Sequence, residues 1–151
     1  MIDLNKLQAR TNSVIDLKKK AGIGNQKARV IAVFDFSGSM RSLYSDGSVQ
    51  RALERVLPIG LAFEVDGYLF HDSVIQLPYN INTNNLDGYV SKNIIGKYNM
   101  GATCYSPFIA KIVDKYKNPT SGLFTKTIKP APVPTFVVVF VDGGNSDSRA
   151  T

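Results

Sequence analysis

Two segments of this sequence, residues 30–34 (VIAVF) and residues 135–141 (TFVVVFV), are apolar at almost every position. A strand with water on one face alternates apolar and polar residues, so an unbroken apolar run predicts a strand covered on both faces. Such strands are typical of parallel sheets that lie between two layers of helices. These two segments therefore predict an α/β fold.

Amphipathic segments alternate with the strands along the chain. Helices are predicted where apolar side chains recur every three or four positions, at residues 3–20, 47–64 and 105–117. Pro58 lies inside the second helix and is expected to kink it. Further strands are predicted at residues 29–35, 67–71 and 74–78, the last two joined by a tight turn. A short helical turn is expected at residues 89–95, and loops at residues 37–48 and 118–134.

The resulting order is helix, strand, helix, strand, strand, helix, strand. This order predicts a three-layer, Rossmann-like sheet that is mostly parallel, with one antiparallel edge strand contributed by the hairpin. With 151 residues, 44% of them hydrophobic, the chain is large enough for one compact domain with its own core. We assign residues 1–24 to an N-terminal helix and linker, and residues 25–151 to the α/β domain.

The amino-acid composition limits where in the cell the protein is expected and which classes of partner it is expected to bind. Cys104 is the single cysteine, which excludes an intrachain disulfide, and we expect a cytoplasmic location. No run of about 18 apolar residues occurs and the N-terminal residues are mixed in polarity, so neither a membrane span nor a signal peptide is predicted. The formal net charge is +6, but Lys and Arg are spread along the chain, and the one dense run, residues 18–20, has no interleaved aromatic residues. Nucleic acid is therefore not the expected partner.

Polar residues follow both apolar strands where each strand ends. Asp35, Ser37 and Ser39 come after the first strand, and Asp142 comes after the last. The segment GATCYS, which precedes the third predicted helix, offers Thr103. Ligand sites of open α/β sheets form at the carboxyl ends of parallel strands, so we expect these five side chains to converge.

All five side chains offer oxygen donors, which suit a hard cation such as Mg²⁺, Mn²⁺ or Ca²⁺. Zinc is disfavoured because His71 and Cys104 are single residues without spaced nitrogen or sulfur partners. The sequence therefore predicts a hard-cation site, with Mg²⁺ as the first choice.

The segments DFSGSM, GAT and DGG, in this order, resemble the metal-ion-dependent adhesion site of the von Willebrand factor A domain. The match runs residue by residue through the five predicted ligands: Asp35, Ser37, Ser39, Thr103 and Asp142. Longer segments, SLYSDGSVQRALERVLPIGLAFEVDGYLFHD and VDGGNSDSRA, resemble the A domain at the C-terminal part of bacterial tellurium-resistance proteins. A phage-encoded relative is consistent with the same likeness.

The resemblance implies a mechanism of binding. Ser37, Ser39 and Thr103 would supply hydroxyl ligands, whereas Asp35 and Asp142 would act mostly through metal-bound waters or by orienting hydroxyls. An acidic residue of a protein partner would complete the coordination. The expected function is therefore metal-dependent protein–protein association in a tellurium-resistance or stress-response system.

Two rival functions stay open from the sequence. A metal-dependent phosphohydrolase would use the cation to activate water. However, His71 is the single histidine, the residue type whose ordinary pKa lies near neutrality. Phosphohydrolases that use an aspartate nucleophile carry a second carboxylate two residues later, where this chain has Ser37. We therefore expect no enzyme activity. The other rival is a metal-free structural scaffold or nucleic-acid binder that uses the basic surface.

Four other polar residues are expected to have structural roles. Asp46 is interpreted as a turn residue ahead of a helix, and Asp147 as a residue of a helical first turn. His71 is interpreted as a packed or solvated histidine at a strand end. Cys104 is expected to be a small buried side chain rather than a nucleophile.

The resemblance also raises an expectation about the last strand, because the sheet of that family continues past the strand at residues 135–141. The domain is expected to lack its last strands and helices, and these residues to form an exposed apolar edge. Three explanations stay open: a fragment or truncated chain, strand exchange with a second copy, or a partner that completes the sheet.

Overall fold

The computed structural model describes residues 3–20, 22, 29–61, 64–117 and 135–144. Along these ranges the regular elements are α1 (Leu4–Lys20), β1 (Arg29–Asp35), a 3-10 turn (Gly38–Met40), α2 (Arg41–Ser45), α3 (Ser48–Leu61), β2 (Glu64–Phe70), β3 (Val74–Gln76), α4 (Tyr89–Asn93), α5 (Tyr105–Lys117) and β4 (Thr135–Phe140). The predicted loop at residues 118–134 and Asp147 lie outside the described residues.

The strands form one sheet in the order β3-β2-β1-β4. β1 pairs in parallel with β2 on one side and with β4 on the other, and β3 pairs antiparallel to β2. Asp35 at the end of β1 lies level with Phe70 of β2, and Phe34 lies level with Phe140 of β4. The ends of the three parallel strands therefore meet at one side of the sheet, which we call the carboxyl edge.

Both faces of β1 are covered, which explains its unbroken apolar sequence. Ala32 and Phe34 belong to a core that includes residues of α2, α3 and α4. Ile31 and Val33 point the other way and pack with Phe108 of α5. The predicted three-layer, mostly parallel α/β fold with one antiparallel strand is thus confirmed.

The segment after β1 differs from the prediction. Residues 37–48 were expected to form a loop, but most of them form the 3-10 turn and α2. The reason is that Met40 and Tyr44, one helical turn apart, are both buried against the core. A single pair of apolar residues at this spacing is too short a pattern to predict a helix from the sequence.

The boundary between α3 and β2 also differs. The helix predicted at residues 47–64 continues through Pro58 but ends at Leu61. β2 already begins at Glu64, three residues before the predicted strand, because it pairs along the full length of β1, from Arg29 onward. Pairing with the central strand therefore decides where β2 starts.

Two apolar surfaces are less covered than their sequences predict. Ile109 and Val113 were placed on the buried face of α5, yet they are 51% and 43% exposed, whereas Phe108 and Ile112 are buried. In β4, which looked fully buried, Phe136 and Val137 are 55% and 42% exposed. β4 is the last strand of the sheet within the described ranges, so one of its edges has no neighbouring strand there.

None of the helices that the structure describes combines the length and apolar character needed to cross a membrane. α1 contacts α3, and Thr11 of α1 is buried in spite of its hydroxyl. The N-terminal helix is therefore packed on the helical layer that covers one face of the sheet.

A chain of polar side chains ties α5 to the sheet far from the carboxyl edge. The Tyr116 hydroxyl donates to Asp66 Oδ2 at 2.7 Å and lies 2.8 Å from the Tyr68 hydroxyl. Lys115 Nζ in turn donates to the Tyr68 oxygen at 2.7 Å. Burial, followed by the hydrogen bonds to Tyr68 and Asp66, raises the pKa of Tyr116 above its ordinary value.

Replacing Tyr116 with Phe tests this chain. The substitution removes one hydroxyl and leaves the fully buried Tyr68 hydroxyl without its acceptor, so we expect a loss of about 1–3 kcal/mol in the free energy of unfolding. Urea denaturation would measure the change. Tyr79→Phe, at a side chain that is 62% exposed, is the matched control and should change stability far less. Equal effects of the two substitutions would contradict the assignment.

Candidate metal centre

The site begins where β1 delivers a carboxylate to the centre of the carboxyl edge. Asp35 is fully buried, and its Oδ1 accepts a hydrogen bond from the Ser37 backbone N–H at 2.9 Å. Its backbone carbonyl accepts the Tyr44 hydroxyl at 2.8 Å. Burial, and then the charge of Asp35, raises the pKa of Tyr44. The backbone around Asp35 is thus held firmly in place.

The second carboxylate oxygen of Asp35 has no partner. Within the described residues, Oδ2 is the buried side-chain oxygen that lacks any hydrogen bond. Leaving a buried polar atom unpaired costs about 1–3 kcal/mol, and more when it carries charge. A cost of this kind at a strand end points to a ligand that the oxygen would meet, directly or through water.

Ser37 and Ser39 bring two hydroxyls together beside Asp35. Ser37 is buried whereas Ser39 is exposed, and their Oγ atoms lie 3.1 Å apart. The 3-10 turn that starts at Gly38 folds the chain so that the two hydroxyls approach each other. The predicted convergence of Asp35, Ser37 and Ser39 is therefore observed.

Thr103 reaches the site on a loop, residues 101–104, that we call the Thr103 loop. Gly101 exchanges two backbone hydrogen bonds with the segment after β1: Gly38 N–H donates to the Gly101 carbonyl at 3.1 Å, and Gly101 N–H donates to the Phe36 carbonyl at 3.2 Å. Thr103 itself is buried. The loop therefore lies directly against the segment that carries Ser37 and Ser39.

Asp142 follows β4 and is exposed. A hydrogen bond with the Ser39 hydroxyl, and then one from the Gly144 backbone N–H at 3.1 Å, lower the pKa of Asp142 below its ordinary value. A Cβ placed on Gly144 would lie 3.4 Å from Asp142 Oδ1 and 3.8 Å from Thr103 Oγ1. Asp142 thus neighbours both Ser39 and Thr103, and the structure brings all five predicted residues to one place.

This donor set fits a hard cation. It holds two carboxylates and three hydroxyls, which are oxygen ligands of the kind that Mg²⁺, Mn²⁺ and Ca²⁺ take. In the part of the chain that the structure describes, no three His, Cys, Asp or Glu side chains group together to hold a metal. A cation here would therefore depend on the hydroxyls, on water and on an outside oxygen, and the unpaired Asp35 Oδ2 is consistent with that demand.

The sequence did not reveal what supports the Thr103 loop. A Cβ on Gly101 would lie 2.9 Å from His71 Nδ1, so the loop rests directly on the ring of His71. The motif GAT contains the glycine, but nothing in its spacing points to a histidine thirty residues earlier. Asp46, in contrast, accepts from the Ser48 backbone N–H at 2.7 Å, as its interpretation as a turn residue requires.

Comparisons with known proteins agree with this architecture. The model of a family described as "vWA found in TerF C terminus" (vWA-TerF-like) matches residues 27–151. The uncharacterized protein YcbR of Bacillus subtilis (strain 168) is 30% identical to the chain over 149 residues. The alignment covers 95% of the chain and 56% of YcbR, so the chain spans about half the length of this curated relative. No solved structure gives a significant match.

Replacing Asp35 with Asn tests the cost of the unpaired oxygen. The amide oxygen can still accept from Ser37 N–H and the buried negative charge is removed, while an amide NH₂ group takes the place of Oδ2. Because an unpaired buried charge costs more than an unpaired neutral group, we expect the free energy of unfolding without divalent cations to rise by about 1 kcal/mol. Thermal unfolding in EDTA would measure this. Asp46→Asn is the matched control, since Asp46 makes the same type of turn bond but is exposed. A clear destabilisation by Asp35→Asn in EDTA would show that the carboxylate has a structural partner instead.

Proposed function

Because this chain belongs to the von Willebrand A-type family found at the TerF C terminus, a module related to tellurium resistance, we propose that it is a divalent-cation-dependent protein–protein interaction module. Mg²⁺ is the cation that we propose first, with Mn²⁺ or Ca²⁺ as alternatives. The observation that carries the proposal is the buried, unpaired Asp35 Oδ2, in a group of side chains that also includes the hydroxyls of Ser37, Ser39 and Thr103.

The residues of the site divide into an inner and an outer group. Asp35, Ser37 and Thr103 are buried, whereas Ser39 and Asp142 are exposed. The hydroxyls of Ser37, Ser39 and Thr103 would bind the cation, and the two carboxylates would orient hydroxyls or bound water. When bound, the cation supplies a positive charge that can accept an oxygen from outside the protein.

The partner that this charge would recognise is an acidic side chain. With three neutral hydroxyls as direct ligands and the two carboxylates acting through hydroxyls or water, the dication could still accept an anionic oxygen directly. The exposed pair Ser39 and Asp142 marks the side from which a second protein can approach. A glutamate or aspartate of the partner would therefore complete the site, and association would require the metal.

We propose binding rather than catalysis at this site. The residue two positions after Asp35 is Ser37, so no second carboxylate is available there as a proton acceptor. The imidazole of His71 is hydrogen bonded through Nδ1 to the Asp72 carboxylate and lies beneath the Thr103 loop. These features favour a site that holds a cation over one that transfers protons.

Removing the exposed hydroxyl tests the cation site with little risk to the fold. Ser39→Ala should lower the affinity for Mg²⁺ by about tenfold or more, since loss of a mere orienting partner already costs about 10–100-fold. Isothermal titration calorimetry with Mg²⁺ and Mn²⁺ would measure the change. Ser45→Ala, on the exposed side of α2, is the control and should bind like the wild type. No uptake by the wild type, or equal uptake by Ser39→Ala, would contradict the site.

A pair of peptides tests the acidic partner. A short peptide with one glutamate should shift the backbone NMR signals of Ser39 and Gly144 when Mg²⁺ is present, and not when EDTA replaces it. The same peptide with glutamine in place of glutamate is the control, because it keeps the shape and lacks the charge. Shifts that persist in EDTA, or that are equal for the two peptides, would show that recognition does not pass through the cation.

A further inference from the structure

The Thr103 loop is held at three points, and two of them are backbone contacts. Its first residue, Gly101, bonds to the segment after β1, and the Cys104 N–H donates to the His71 carbonyl at 3.1 Å. The loop therefore bridges the ends of β1 and β2. These bonds hold both ends of the loop, and Thr103 lies between them.

The third point is a side-chain contact beneath Gly101. A Cβ on Gly101 would lie 2.9 Å from His71 Nδ1, 3.0 Å from Asp72 Oδ1 and 3.2 Å from His71 Cβ. Other atoms are rarely found as close as about 3 Å to a Cβ. A glycine at position 101 therefore allows the loop to lie against His71 and Asp72 where a larger residue would have to shift. The loop thus lies directly on the imidazole and the carboxylate.

The imidazole is itself held by the turn that follows β2, residues 71–73. His71 Nδ1 is hydrogen bonded to the Asp72 carboxylate, and Ser73 Oγ lies 3.4 Å from Nε2. The His71 backbone N–H donates to the Ser73 carbonyl at 2.9 Å, which closes the turn. The His71 side chain is only 13% exposed, and the loop lies directly on its ring.

We propose that His71, held by Asp72, is a positioning residue that sets the place of the Thr103 hydroxyl and thereby gives the site a preference for Mg²⁺ over Ca²⁺. This inference rests on the proposed function, since it concerns the same cation site. It adds a residue that offers no ligand itself and acts through the loop.

The preference follows from the different demands of the two cations. Mg²⁺ requires near-octahedral ligands at about 2.0–2.1 Å, whereas Ca²⁺ accepts six to eight oxygens at about 2.3–2.6 Å in flexible arrangements. A loop whose first residue lies on the His71 ring has less freedom to move the Thr103 hydroxyl relative to Ser37 and Ser39. If the His71 side chain is removed, the Thr103 loop can move. This movement should lower the affinity for Mg²⁺ more than the affinity for Ca²⁺.

Calorimetric titration of Mg²⁺ and of Ca²⁺ into the whole chain tests the inference. His71→Ala should lower the Mg²⁺ affinity by about tenfold, the size expected for residues that orient metal ligands, and change the Ca²⁺ affinity less. Asp72→Ala should act in the same direction with a smaller effect. Its side chain is 65% exposed, so this variant keeps the core intact even if His71→Ala folds poorly. Asp87→Ala, at another exposed aspartate, is the control.

A double-mutant cycle separates positioning from a general loss of structure. Gly101→Ala should lower the Mg²⁺ affinity, because its methyl group must lift the loop from His71. In the His71→Ala background the methyl group has more room, so Gly101→Ala should cost less there than in the wild type. Independent, additive losses would contradict direct contact between ring and loop as the cause.

The outcomes distinguish the inference from the function on which it rests. If the wild type binds Mg²⁺ but His71→Ala and Asp72→Ala keep its ratio of Mg²⁺ to Ca²⁺ affinity, the positioning role is wrong and the interaction module stands. If the wild type binds neither cation, both proposals are overturned. A ratio that falls in both variants, with Asp87→Ala unchanged, supports the positioning role.

Discussion

The central position of β1 is the constraint on which the rest of the structure depends. Parallel pairing with β2 and β4, together with helices on both faces, leaves the end of β1 enclosed by protein. Asp35 occupies that end and is fully buried, with one carboxylate oxygen unpaired. A carboxylate at the end of an edge strand would be solvated by water, at little cost in folding free energy. At the end of the central strand its burial lowers the stability of the fold, and the neighbouring segments are arranged around it.

Those segments reach Asp35 from distant parts of the chain, yet backbone hydrogen bonds hold most of them. Ser37 N–H bonds to Asp35 itself, and the Thr103 loop bonds to the segment that carries Ser37. Backbone bonds of this kind, together with the His71 contact, bring the hydroxyls together without a bound ion. The protein therefore has a preorganised oxygen site, in which little ordering would remain to be done when a cation enters.

Sequence patterns predicted the parts of this arrangement that follow from periodicity and from the positions of strand ends. They predicted β1 from its apolar run and the buried face of α5 from the spacing of Phe108 and Ile112. They also predicted that Asp35 and its two serines lie at the end of a strand. The short helix α2 was missed because Met40 and Tyr44, the buried residues of the 3-10 turn and of α2, form too short a pattern to show a helical period. The contact of Gly101 with His71 was also missed, since it joins two loops through three-dimensional proximity and has no periodic signal.

On the exposed side of the site, hydrogen bonds stabilise the negative charge of Asp142. Asp142 gains hydrogen bonds from the Ser39 hydroxyl and the Gly144 N–H, which lower its pKa, so its carboxylate form persists to more acidic pH than that of an ordinary aspartate. An ordinary aspartate is already ionised at neutral pH, so the lowered pKa matters in acidic solution, where the proposed cation would still meet a carboxylate. The Asp142 carboxylate is hydrogen bonded to the Ser39 hydroxyl on the exposed side of the site, and the unpaired Asp35 Oδ2 lies on the buried side. A negative charge in this position would favour the hard cation that we propose.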